Sequence, residues 1–119
     1  MKASFSPIIV LAALLSSSAF AVAQAFLNLD FENPVPPLDP NDPSGVPIAN
    51  ALPGWSGYTY DVMVSRVWYN TLSLGAAAIS LHDTASSLRP IYQGNYTVVL
   101  QGSTASTPSS AVIGQTGLL

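Results

Sequence analysis

The chain has 119 residues, no cysteine and a formal net charge of −3, which bounds it to one small domain with neither a disulfide framework nor a Cys-based zinc site. Beyond Lys2 its only cations are Arg66 and Arg89, too few to track a phosphate backbone or an anionic membrane, so nucleic acid and a basic membrane-binding surface are excluded. At 49% hydrophobic residues it departs from the low-hydrophobicity, high-charge pattern of disordered chains.

Lys2, the apolar run Ile8 to Leu15 and the small-residue sites Ala19-Phe20-Ala21 and Ala21-Val22-Ala23 have the three-part form of a secretory signal peptide, assigned to residues 1–23. Ser16, Ser17 and Ser18 interrupt the run before the roughly 20 apolar residues that a membrane span needs. The protein is therefore expected outside the cell, secreted or at the cell surface, with residues 24–119 as its domain.

Phe26 to Glu32 alternates, with Leu27, Leu29 and Phe31 on one side and Asn28, Asp30 and Glu32 on the other, which predicts an opening strand. Residues 33–51 hold Pro34, Pro36, Pro37, Pro40, Pro43 and Pro47 and read as a long Pro-rich loop, because each proline removes an amide donor. Pro53-Gly54 marks a turn before Trp55. Trp55 is expected to lie over one end of the core with its indole nitrogen on a loop carbonyl; a sugar-stacking platform is the alternative.

Tyr58 to Ser65 alternates through Tyr58, Tyr60, Val62 and Val64 and predicts one strand. Arg66 to Tyr69 either continues it past a bulge or forms a second short strand, with Trp68 and Tyr69 facing opposite ways. Leu72 to His82 is read as strand rather than helix, since Gly75 interrupts it and Leu72-Ser73-Leu74 already alternates. Residues 82–93 connect to a strand over Asn95 to Gln101, with Tyr96, Val98 and Leu100 inward. Ala111 to Thr116 begins a last strand. Five or so strands without a helix predict an all-β fold, a β-sandwich, and so few strands covering two sheets suggest that it is incomplete at the C-terminus.

Candidate chemistry is sparse. His82 is the single histidine, and a Ser80–His82–Asp83 triad fails because sequence neighbours on a strand point apart. Asp30 and Glu32 lie about 6.6–7 Å apart along an extended chain, near the wider carboxylate spacing of glycoside hydrolysis. With Asp61 as a conceivable third partner they leave a hydrolase as a minor alternative, and the chain is expected to be noncatalytic. Asn28, Asp30 and Glu32, with Asp39, Asn41 and Asp42 nearby, offer only hard oxygen donors, which suits a structural Ca2+; plain solvent-facing polar residues are the competing reading. Asn95-Tyr96-Thr97 matches the N-glycosylation acceptor. Trp55, Tyr58, Trp68, Tyr69 and Tyr92 are candidates for carbohydrate stacking, with Asn70, Gln93 and Gln101 for hydroxyl contacts, although each aromatic could equally pack in the core.

Asn28-Leu29-Asp30-Phe31-Glu32, Ala51-Leu52-Pro53-Gly54-Trp55, the Tyr69 to Ala77 segment, Gly94 to Gly102 and Ile113-Gly114-Gln115-Thr116-Gly117 together resemble the N-terminal part of exported bacterial PEP-CTERM sorting-domain proteins, especially those of Verrucomicrobia-like bacteria. Their order is also similar to a galactose-binding-like jelly roll. That resemblance implies a jelly-roll-like sandwich with a structural calcium near the opening strand, where Asn28 and Glu32 match the motif, and a role in the cell envelope or polysaccharide matrix. The Pro-rich insert departs from the pattern, and the sorting tail is not in this sequence. The function expected is a noncatalytic extracellular module that binds or organises polysaccharide; the alternative is a purely structural envelope protein without a specific ligand. A binding module needs two or more aromatics exposed on one concave face, whereas a structural one buries them. N-terminal sequencing of the exported protein is expected to begin at Val22 or Gln24, and an exported chain that retains Met1 would contradict the signal assignment.

Overall fold

The computed structural model describes residues 26–88, 91, 93–106 and 109–117; the signal assigned to 1–23 and the candidate Tyr92 lie outside them. Among the described residues no helix is long and apolar enough to cross a membrane. Among the described residues seven strands and one helical turn follow in chain order: β1 (Val46–Pro47), α1 (Ile48–Ala51), β2 (Ser56–Thr59), β3 (Val62–Val64), β4 (Arg66–Tyr69), β5 (Ala78–Asp83), β6 (Tyr96–Gln101) and β7 (Ala111–Gly114). They form a four-stranded sheet, β1-β4-β5-β6, and a three-stranded sheet, β3-β2-β7. The two sheets pack on each other as a small, mostly β, sandwich-like domain. Its likeness to a jelly roll stops at that level, because β4 and β5 run parallel and a jelly roll is built from antiparallel Greek keys.

β5 is the centre. It pairs with β4 through Trp68↔Ser80 and Tyr69↔Leu81 and with β6 along its whole length, from Ala78↔Gln101 to Asp83↔Tyr96. Ala78, Ile79, Ser80, Leu81 and His82 are all buried, so both faces of this strand are covered, as in a central strand. Ile79 and Leu81 turn toward the second sheet and join Val46, Leu52, Val67 and Tyr69 in the core. The sheets pack tightly at Gly57, where an added Cβ would lie 2.6 Å from Ile79 Cδ1 and 2.8 Å from Ile48 Cδ1.

Several sequence expectations are corrected. Phe26 to Glu32 is no strand: Leu29 and Asp30 form a turn, Asn28 and Phe31 have φ of 50° and 62°, and Leu27 and Leu29 are exposed. Its Asn and Asp side chains bond the local backbone, which competes with strand pairing. Tyr58 to Ser65 is not one strand but the β2–β3 hairpin, turned at Tyr60 and Asp61 with φ of 53° and 60°. Two consecutive left-handed residues make a type I′ turn, which normally selects Asn-Gly. Here Tyr60 is held instead by its hydroxyl, which accepts the Ala77 N–H at 3.1 Å.

The Leu72 to His82 strand begins only at Ala78, and Leu74 stands fully exposed in the loop before it. The Pro-rich loop over 33–51 closes with β1 and α1, where Pro47 precedes a single turn that buries Ala51. Arg66 to Tyr69 is a separate strand, and Tyr69 is its inward aromatic. β6 and β7 fall where the alternation put them, except that Leu100 at the rim of β6 is 46% exposed.

Because the Gly57 position has no room for a methyl group, Gly57→Ala is expected to destabilise the domain by about 1–3 kcal/mol through overpacking. Thermal unfolding followed by circular dichroism checks it, and an unchanged Tm would mean that the sheets do not meet there.

Candidate functional site

A cleft of about 400 Å³ lies between residues 29–32 and the start of β6, lined by Leu29, Asp30, Phe31, Glu32, Gln93, Gly94, Tyr96, Thr97 and Val98. One wall is a hook, residues 27–33, which takes in most of the Phe26 to Glu32 segment expected as a strand. Asn28 Oδ1 accepts the Asn33 N–H at 2.9 Å, and Phe31 N–H donates to Asn28 O at 3.2 Å. Trp55 Nε1 donates to that same carbonyl at 3.0 Å, and the Phe31 and Trp55 rings lie 5.1 Å apart, tilted by 39°. Trp55 is thus bound to a loop carbonyl over the core.

Both ends of the hook are fastened. At one end Leu27 N–H donates to Gln115 Oε1 at 3.0 Å and Gln115 Nε2 donates to Leu27 O, just past β7. At the other, Glu32 takes the Asn95 N–H on both oxygens at 2.9 and 2.8 Å, the Asn95 side-chain amide at 3.0 Å and the Tyr96 N–H at 3.1 Å. The hook therefore laces the three-stranded sheet to the four-stranded one. Gly94, at φ 69°, makes room for the carboxylate, because a Cβ there would collide with it. Foremost among the causes, the Asn95 N–H holds the Glu32 carboxyl below its ordinary value against a smaller desolvation penalty.

This geometry bears on the calcium candidates. Asn28 Oδ1 faces Asn33, Asp30 Oδ1 accepts the Glu32 N–H at 3.2 Å, and Glu32 faces Asn95 and Tyr96. Each set of oxygens is turned to its own N–H donors, so a cation would have to displace them. Among the described residues no group of three or more His, Cys, Asp or Glu gathers. Asp42, another oxygen donor, pairs with Arg66 at 2.6 Å and accepts the Ser44 hydroxyl at 2.6 Å.

The candidate aromatics occupy different settings. Trp55 lies under the hook. Tyr58 stands on the outer face of the three-stranded sheet, opposite Met63 and Val112, and lines a smaller hollow of about 170 Å³ with Gln115. Trp68 shares the outer face of the other sheet with Ser80. Tyr69 is only 7% exposed, so it has no ring face to offer a sugar. Of the polar candidates, Gln101 bonds both ways to the Ser73 backbone and Asn70 bonds Asp83, while Gln93 does line the cleft.

The network that sequence reading missed is Tyr69–Asp83–Asn70. Tyr69 OH donates to Asp83 Oδ2 at 2.5 Å, Asn70 Nδ2 donates to Asp83 Oδ1 at 2.8 Å, and Asp83 N–H returns to Asn70 Oδ1 at 2.9 Å. Burial raises the Asp83 carboxyl, but these donors together with the Ala85 and Ser86 N–H groups outweigh it and leave it lowered. Burial first, and then Asp83, push the Tyr69 phenol well up. His82 Nδ1 lies 2.7 Å from Ser86 Oγ, while the Asp83 side chain leaves the strand on the opposite face. Asp61 sits in the hairpin turn of the other sheet, away from the Asp30–Glu32 segment.

Since a depressed carboxyl stabilises above its unfolded value and loses that contribution as pH falls through its folded value, acid is expected to release the hook. In a Trp68→Phe background, acrylamide quenching of Trp55 should rise below about pH 4 and should already be raised at neutral pH in Glu32→Ala. A Glu32→Ala protein with wild-type quenching would contradict the clamp. No family model, curated protein or solved structure matches the chain.

Proposed function

We propose that the chain is a noncatalytic structural module of an exported protein, contributing a small β-sandwich to cell-envelope or matrix material. The observation that carries this reading is the scatter of the candidate stacking residues: Trp55, Tyr58, Trp68 and Tyr69 lie under the hook, on two opposite outer faces and in the core. A sugar platform needs such rings together on one face. The groups best suited to acid–base work also hold the chain together, with Glu32 on β6, Asp83 on Tyr69 and Asn70, and His82 against Ser86. The apolar run Ile8 to Leu15 supports export, and the likeness of Asn28 to Glu32 to exported sorting-domain proteins supports an envelope setting. Calcium has no part in this reading, since the Glu32 carboxylate is already engaged by the Asn95 and Tyr96 N–H groups.

One observation favours a second reading, polysaccharide binding in the cleft beside β6. There Phe31 and Tyr96 bring aromatic surface next to Asp30, Gln93 and Thr97, a mixture of ring faces and polar groups that suits a pyranose. A glycan array separates the two. The structural reading predicts signal at background for wild type and for Asp30→Ala alike; binding by wild type that Asp30→Ala abolishes would overturn it in favour of the cleft.

A further inference from the structure

β6 is the outer strand of the four-stranded sheet, and its backbone polarity can be read from its partners. Tyr96 N–H points away from β5, to Glu32. The N–H and C=O of successive strand residues alternate sides, so Thr97, Val99 and Gln101 bond β5 while Val98 and Leu100 face outward with Tyr96. The other side of the ladder agrees, because Leu81, the register partner of Val98, gives its carbonyl to the Asn70 N–H on the β4 side. No described residue takes the outward N–H or C=O of Val98 or Leu100.

An edge of this kind is usually protected by a lysine, a proline, a bulge or a cover. β6 reads Tyr-Thr-Val-Val-Leu-Gln, without charge, proline or glycine, and the one protective contact, Glu32, covers only its first residue. We propose that two copies of this chain pair antiparallel through β6 about a two-fold axis at Val99, which deepens the structural reading by naming what the module builds with. In that register Val98 meets Leu100 of the second copy and Leu100 meets Val98. Each of these pairs exchanges both N–H···O bonds, so the outward N–H and C=O groups of Val98 and Leu100 are all satisfied. The central facing side chains are apolar, Val98 beside Leu100 on one face and Val99 beside its own copy on the other, flanked by Thr97 opposite Gln101. β6 ends at Gln101, so the second copy leaves the edge before it reaches the Glu32 clamp.

β6 brings no charge to the contact, so pairing there places no like charges opposite each other, which the chain's formal −3 would do at an acidic patch. A two-fold contact is also closed and self-complementary, and the two four-stranded sheets would become one continuous sheet across the axis.

Sedimentation velocity of the protein as exported tests this over a concentration series. A contact below about 1,200 Å² belongs to the weak, transient class, so a monomer–dimer equilibrium with a Kd on the order of 10–100 μM is expected. Leu100→Pro deletes an N–H that no described residue accepts, and Leu100→Lys adds an edge charge; each should weaken the dimer at least about tenfold while circular dichroism stays native. If Leu100→Pro fails to fold, Leu100→Lys decides. A monomer at every concentration up to about 1 mM, or a dimer that Leu100→Lys leaves intact, overturns the pairing. Neither result touches the structural reading, which falls only if a glycan binds the cleft.

Discussion

The fold depends on one strand that water does not reach from either side. Ala78 to His82 is buried on both faces, and β5 is flanked by β4 and β6 in the same sheet. Fully burying Ile79 and Leu81 contributes about 1.5–3 kcal/mol each. Ala78 and Ser80 on the opposite face are small enough for covering segments to lie close. At the end of the strand Asp83 ties the parallel pair together. Its carboxylate collects Tyr69 and Asn70 from the β4 side, and its own N–H returns to Asn70. Hydrogen bonds to a charged acceptor contribute about 1.5–3 kcal/mol, a substantial fraction of a small domain's margin.

The second constraint is closure without cysteine. Small exported domains generally use disulfides or metals to hold their layers together. Here a hook of seven residues, 27–33, does this with hydrogen bonds at both ends: Gln115 grips Leu27 beside the three-stranded sheet, and Glu32 grips Asn95 and Tyr96 at the head of β6. Trp55 fills the space beneath. The same carboxylate leaves the rest of the β6 edge open, so closure of one end of the sandwich and availability of the outer edge are two consequences of one placement.

Legibility in the sequence followed how local the determining forces are. Asn95 to Gln101, with Tyr96, Val98 and Leu100 on one face, and the apolar start of Ala111 to Thr116 both follow Gly or Pro breaks and became β6 and β7. The adjacent pair Trp68 and Tyr69 split between outside and core by strand alternation alone. The hook, the hairpin and the Asp83 network were not legible, since each is set by a distant partner. Alternation in Leu27, Leu29 and Phe31 imitates a strand, but Gln115 and Trp55, far along the chain, hold the backbone in a turn. Tyr60-Asp61 lacks the glycine that marks a type I′ turn, and it is the Ala77 N–H that fixes Tyr60 there. Gly94-Asn95 after a polar connection was the one available hint that a backbone nest would receive a carboxylate.

In the structural role proposed above, the module meets its surroundings through sheet edges and outer faces. Everything in that account assumes that β5 is the last element to open. Native-state amide hydrogen exchange followed by NMR measures this directly. Slowest exchange at Ile79 to Asp83, at rates set by global unfolding, is predicted; β5 amides that exchange as fast as those of loop residues 70–77 would contradict it.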